Sequence, residues 1–230
     1  MRSFLEALER AGHRPGESGE RDAKKNYAEQ LSRALAQLIA NGLRKDFPGI
    51  TPDKDGRRHE SPAMGGRGAK KLDVNFSTPS LGLGLGVTVK TLNFRDQKSK
   101  RYTKNYTRID NELRAEAKDY HVRQPYSVLV GALYLPADAC DDGKANGSSF
   151  ARAVGIFRQR AGRVKPSNEQ ELLERFFVAL YEHEVSARGT VSYFDVVHSA
   201  PELGRPAKDL CFTHEEFLGE IKSAFKVRNP

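Results

Sequence analysis

The chain has no tryptophan, only two cysteines and two methionines among its 230 residues, and no apolar run of the roughly 18 residues that a membrane span requires. A spanning helix is therefore not expected. The opening Met1-Arg2-Ser3-Phe4-Leu5-Glu6 puts an acid where an export signal needs unbroken apolar sequence, so no such signal is expected either. Cys140 and Cys211 stand far apart without CxxC or CxxH spacing, which argues against a disulfide framework and against a cysteine zinc site, and favours a reducing, cytoplasmic setting. Six histidines (His13, His59, His121, His183, His198 and His214) show no HExxH or HxH spacing. Surface or core roles suit them better than metal ligation, and His183 between Glu182 and Glu184 reads as the polar end of a helix. Gly82-Leu83-Gly84-Leu85-Gly86 forms neither GxGxxG nor a phosphate-binding P-loop, because its glycines fall inside a strand pattern. Acids are also in deficit: 30 Asp and Glu face 38 Lys and Arg, a net charge of +8, which points to a polyanionic partner.

What is present is enough for a packed core, with 38% hydrophobic residues including 12 Phe and 8 Tyr. Apolar spacing predicts helices over Phe4–Ala11 and about Arg21–Lys45, where Tyr27, Leu31, Leu35, Leu38 and Ile39 recur with helical period. From Pro48 to Lys71 the pattern gives way to a basic loop region with room for one short strand. Leu72–Ser77 and Leu81–Phe94 alternate with period two across a turn at Thr78-Pro79-Ser80, as in a hairpin. A basic loop from Arg95 to Lys104 leads to an amphipathic helix on Tyr106, Ile109, Leu113 and Ala117. Pro125–Pro136 is nearly continuously apolar, the pattern of a strand buried on both faces. A polar loop is then expected at Ala137–Ser148, helices near Ser149–Ala161 and Asn168–Glu184, a strand near Val185–Val197, and a final helix opened by the capping box Thr213-His214-Glu215-Glu216. The order describes an α/β fold, read as one domain over residues 1–230 with a central mixed sheet flanked by helices.

Alternation assigns side chains to faces. Asp73, Asn75 and Ser77 are expected on one face of their strand, with Leu72, Val74 and Phe76 in the core. In the next strand Gly82, Gly84, Gly86, Thr88 and Lys90 share a face opposite Leu81, Leu83, Leu85, Val87 and Val89. Thr88 and Lys90 then stand about 7 Å apart, close enough to reach one bound phosphate, beside glycines that allow close approach.

Asp73, followed by Thr88-Val89-Lys90 at the end of a second strand and then by a helix and an apolar strand, resembles the core of the PD-(D/E)XK nuclease superfamily, the restriction-endonuclease-like fold. The likeness covers about residues 20–136, leaving about 137–230 as a C-terminal elaboration. It implies an Mg²⁺-dependent deoxyribonuclease of the type II restriction endonuclease kind, with Mn²⁺ as an alternative ion, DNA as partner and a restriction or anti-phage role. Cutting both strands of a duplex would imply a homodimer. Mapped onto this chain, Asp73 is the metal-binding acid and Lys90 the lysine that orients or activates water. Position 88 carries Thr where the motif has an acid, and Leu72 stands where it has Pro. Some branches move the missing carboxylate onto the following helix, which makes Glu112 the first choice for a relocated ligand, with Glu29 and Glu60 as further candidates for the metal.

The chemistry accounts for these residue types. Mg²⁺ takes hard oxygen ligands, often one or two carboxylates with water and substrate phosphate, and a lysine adds positive charge where the transition state gathers negative charge. Arg95, Lys98, Lys100, Arg101, Lys104 and Arg108, with Asp96 as the lone acid among them, read as a clamp on the phosphate backbone. Two other readings stand beside this one: a non-catalytic nucleic-acid-binding module that kept the fold and lost the acid at Thr88, and RNA as the substrate.

Overall fold

Helix ends follow capping chemistry. In the computed structural model, α1 (Phe4–Ala11) starts where the Ser3 hydroxyl accepts the Glu6 N–H at 3.2 Å and stops at Gly12, whose φ of +84° suits glycine. The structure describes residues 1–57, 61–65, 68–80, 82–143, 147–184 and 186–229, with 61–65 and 68–70 by backbone alone. The second helix, α2, spans Arg21–Leu43. The expected capping box forms: Thr213 Oγ1 accepts from Glu216 N–H at 3.3 Å and Glu216 Oε2 accepts from Thr213 N–H at 2.7 Å, opening α5 (His214–Arg228).

Between α2 and α5 lie β1 (Ser61–Gly65), β2 (Gly68–Leu72), β3 (Val74–Thr78), β4 (Gly82–Thr91), α3 (Tyr106–Arg123), β5 (Val128–Pro136), α4 (Ser149–Phe157), β6 (Arg175–Tyr181), β7 (Val191–Asp195) and β8 (Cys211–Phe212). Strands β3 to β8 form one six-stranded sheet in that spatial order, and β1 pairs only with β2. The β4–β5 and β5–β6 pairs are parallel and the others antiparallel, so the protein is α/β with a mixed sheet between helical layers. One face packs on α1, α2 and α5 through Leu8, Leu35, Val87, Val130 and Phe217; the other packs on α3 and α4 through Leu113, Leu129, Leu133 and Phe150. Among the described residues, no helix is long and apolar enough to cross a membrane.

Four expectations change. The stretch Asn168–Glu184 is not a helix: its Phe176–Tyr181 portion lies in β6 and is buried on both faces, and a short, continuously apolar run of aromatic and branched residues has no periodicity to separate strand from helix. His183 accordingly follows a strand. The expected basic loop region contains the β1–β2 hairpin. The strand through Leu72–Ser77 is broken by a bend at Asp73, so Leu72 packs with the α3 face while Val74 packs with the α2 face. In β4 the register slips, because Phe76 pairs with Leu85 and Ser77 with Leu83. Gly84 is the extra residue of this bulge, which sends Leu83 to the face opposite Leu85.

A buried ionic knot fixes the far end of α3. Glu174 Oε1 accepts from Arg163 Nη1 at 2.8 Å and lies 3.0 Å from Arg228 Nη2, while Oε2 accepts the Leu129 N–H at 2.6 Å and lies 3.5 Å from His121 Nε2. These contacts join the end of α3, the start of β5 and the end of α5.

Candidate catalytic site and an adjoining basic cleft

Asp73 sits in the bend just before β3. Since Val74 pairs with Val87, Asp73 falls opposite Thr88, and its Oδ2 accepts the Val89 N–H at 2.7 Å. The acid thus continues the β3–β4 ladder by a side chain and is held against β4. Thr88 and Lys90, alternating with Val87 and Val89, present the face that α3 covers.

Helix α3 connects β4 to the parallel strand β5, and its buried stripe (Tyr106, Ile109, Leu113, Ala117 and Tyr120) sets its rotation. At 100° per residue, Glu116 falls about 60° from the centre of that stripe and Glu112 about 100°. Glu116 therefore turns further toward the sheet. Its Oε2 accepts from the Thr88 hydroxyl at 3.4 Å. Glu112 lies between two cations, 3.3 Å from Lys90 Nζ and 2.7 Å from Arg108 Nη1. Thr88 thus meets an acid from the helix. Glu116 is not among the acids expected from the sequence; the wheel angle is the signal that ranks it above Glu112.

Tyr120 lies one turn beyond Glu116. Its hydroxyl is buried with no hydrogen-bond partner among the described residues, and its pKa is pushed up by burial and by the charges of Glu116, Asp119 and Asp73. The field at this unpaired hydroxyl is thus negative, a polarity that favours a cation nearby. Among the described residues no group of three or more His, Cys, Asp or Glu side chains is arranged to hold a metal. Mg²⁺ commonly takes one or two carboxylates and completes its shell with water and phosphate, and Asp73 and Glu116 both reach the Thr88–Val89 stretch of β4.

The remaining candidates lie elsewhere. Glu29 is exposed on α2, 3.8 Å from Lys25, and α2 covers the opposite face of the sheet. Glu60 falls outside the described residues. The glycines are not an open strip: a Cβ on Gly86 would come 2.8 Å from a methyl of Leu129 and 2.9 Å from one of Leu72, so that space holds leucine side chains.

Comparison with protein-family models, with curated protein sequences and with solved structures finds no match for this chain.

The expected phosphate clamp is largely pre-paired. Arg95 meets Asp138 at 2.6 Å and lies over the Tyr102 ring, Arg101 donates to the Gly147 carbonyl at 2.5 Å and lies 3.9 Å from Asp142, and Lys104 meets Asp96 at 2.9 Å. The Ser99 backbone N–H and Lys104 hold the Asp96 carboxyl below the usual carboxylate range. Arg108 belongs to the Glu112 pair, and Lys98 and Lys100 are exposed. A cleft of about 590 Å³ opens at the end of β4 and is lined by Leu92, Phe94, Arg95, Lys98, Arg101 and Lys104, joined from α2 by Arg21 and Lys24.

Proposed function

We propose that this protein is a divalent-metal-dependent DNA phosphodiesterase of the PD-(D/E)XK type, cutting as an endonuclease, with Asp73, Lys90 and Glu116 at its centre. The observation that carries the reading is the approach of the Glu116 carboxylate to Thr88, which supplies an acid from α3 where the motif lacks one, beside Asp73 and two residues from Lys90. Asp73 and Glu116 would hold the divalent ion, whose chemistry would be Lewis-acid polarisation of a phosphoryl oxygen and a lowered pKa of water. Lys90 provides a fixed positive charge for the developing negative charge of the transition state. Glu112 and Arg108 position it: Glu112 spans the two cations and keeps the ammonium on the strand face. The restriction or anti-phage role belongs to the same proposal and rests on the sequence resemblance alone.

Incubation of plasmid and linear DNA with Mg²⁺ or Mn²⁺ tests it. Asp73→Ala, Lys90→Ala and Glu116→Gln should each abolish cleavage, whereas Glu112→Gln should slow it without abolishing it. Cleavage that survives both Asp73→Ala and Glu116→Gln would remove this site. Binding without cleavage in either metal would favour the non-catalytic module that Thr88 suggests.

A further inference from the structure

The basic cleft lies where an open α/β sheet ordinarily binds ligands, outside the carboxyl ends of its parallel strands. Its lining includes Leu92, which follows β4 two residues beyond Lys90, so the cleft begins about 7 Å from the candidate site. One wall is the first turn of α2 with Arg21 and Lys24; the other is the loop carrying Arg95, Lys98, Arg101 and Lys104. With Asp96, Asp138 and Asp142 paired to three of these bases, a surplus of about three positive charges remains. The α2 N-terminus has no side-chain cap, and Asp22 in its first turn is not among the residues lining the cleft, so the helix dipole adds to that surplus.

The aromatic rings of the lining are already occupied. Phe94 has Arg14 at 4.8 Å and Lys24 at 5.4 Å from its centroid, and Tyr102 has Arg95 at 5.7 Å. Tyr102 is also buried, so charge rather than base stacking selects the occupant. The volume of about 590 Å³ suits a group of nucleotide size, which is room for a short stretch of one strand's backbone.

We propose that this cleft seats the sugar-phosphate backbone of one nucleic-acid strand, without reading its bases, and so makes unpaired segments within a DNA chain the substrate class of the adjoining site. The proposal rests on the phosphodiester reading for its substrate, but its test does not require cleavage.

The test is fluorescence anisotropy in EDTA with a labelled 12-nucleotide DNA strand, the same sequence as a blunt duplex, and AMP as competitor. The single strand should bind more tightly than the duplex, with a slope of log affinity against log salt of about −2, from about 0.7 per phosphate and three phosphates. Arg21→Glu/Lys98→Glu should weaken binding about tenfold or more and bring the slope toward zero. Both altered residues are exposed, and an acid in the first turn of α2 favours the helix, so the circular dichroism spectrum should be unchanged. Undiminished binding by the double variant, equal affinity for the duplex, or displacement by AMP at oligonucleotide concentrations would overturn the proposal. Salt-sensitive strand binding by a wild type that cuts nothing in Mg²⁺ or Mn²⁺ supports the cleft and removes only the hydrolysis reading.

Discussion

Glu174→Gln isolates the ionic knot behind the sheet. The substitution keeps size and one acceptor oxygen but removes the negative charge facing Arg163 and Arg228, which are 1% and 7% exposed. Removing one partner of a buried ion pair typically costs about 3–5 kcal/mol, because the remaining charge is left uncompensated. Here the guanidiniums keep other acceptors: Arg163 Nη2 donates to the carbonyls of Pro125 at 3.0 Å and Pro166 at 2.8 Å, and Arg228 Nη1 to Pro125 at 3.2 Å. The lower end of the range applies, about 3 kcal/mol, or a fall in melting temperature of about 6–12 °C for a chain of this size.

The same group fixes the pH dependence. Burial pushes the Glu174 carboxyl up, but His121, the Leu129 N–H and Arg163 outweigh it, and the folded pKa lies below the ordinary value. A carboxyl depressed in the fold contributes stability above its unfolded pKa of about 4.3 and loses it as pH falls through the folded value. Thermal unfolding followed by circular dichroism should therefore show the full gap between wild type and Glu174→Gln at pH 7 and a closing gap below about pH 4. A gap under about 1 kcal/mol at pH 7, or one unchanged at pH 3, would refute the reasoning.

His214 accepts or donates at Nδ1 to the Tyr193 hydroxyl, 2.9 Å away, and burial pushes its pKa down to about 4. The unfolded chain takes up this proton near pH 6.5 and the folded chain does not, so stability should fall by about 3 kcal/mol as pH drops from 6.5 to 4. His214→Gln should flatten that window, and an unchanged slope in denaturant titrations would count against it. Thr213→Ala removes the capping box of α5 and should cost about 1 kcal/mol, read as a shift in urea midpoint; no shift would mean that the cap is idle. Burial pushes the Cys140 thiol up to about 12, so in a Cys211→Ser background native protein at pH 8 should resist a thiol reagent until unfolded. Rapid modification of the folded variant would contradict that burial.

Legibility in the sequence tracked how local each signal was. The capping box of α5, the Phe4–Ala11 bounds of α1 and the doubly buried β5 depend on neighbours within a few positions, and all three form as read. Strand β6 hid as a helix because Phe176–Tyr181 is apolar at every position. Its assignment is made by pairing with β5 and β7, which lie about 40 residues before it and 15 after it in the chain. The bend at Asp73 and the bulge at Gly84 leave the alternating pattern intact on paper, yet each reverses the faces on one side of it. Asp73 reaches Val89 because of that bend, and Thr88 and Lys90 share the α3 face because they lie on the same side of the bulge.

The carboxylates and the charges diverge for a related reason. Glu112 and Glu116 are both polar positions four residues apart, and only the phase of the buried stripe separates the acid that meets Thr88 from the acid that bridges Arg108 and Lys90. The run from Arg95 to Arg108 looked like free positive charge because its acids lie elsewhere: Asp138 and Asp142 follow β5, and only Asp96 lies in the run. The charges that complete the cleft, Arg21 and Lys24, come from a helix more than 70 residues earlier. A count of basic residues along the chain therefore overstated the field on the loop and missed α2. The cleft's net surplus of about three, rather than the chain's +8, is the quantity a salt titration should return.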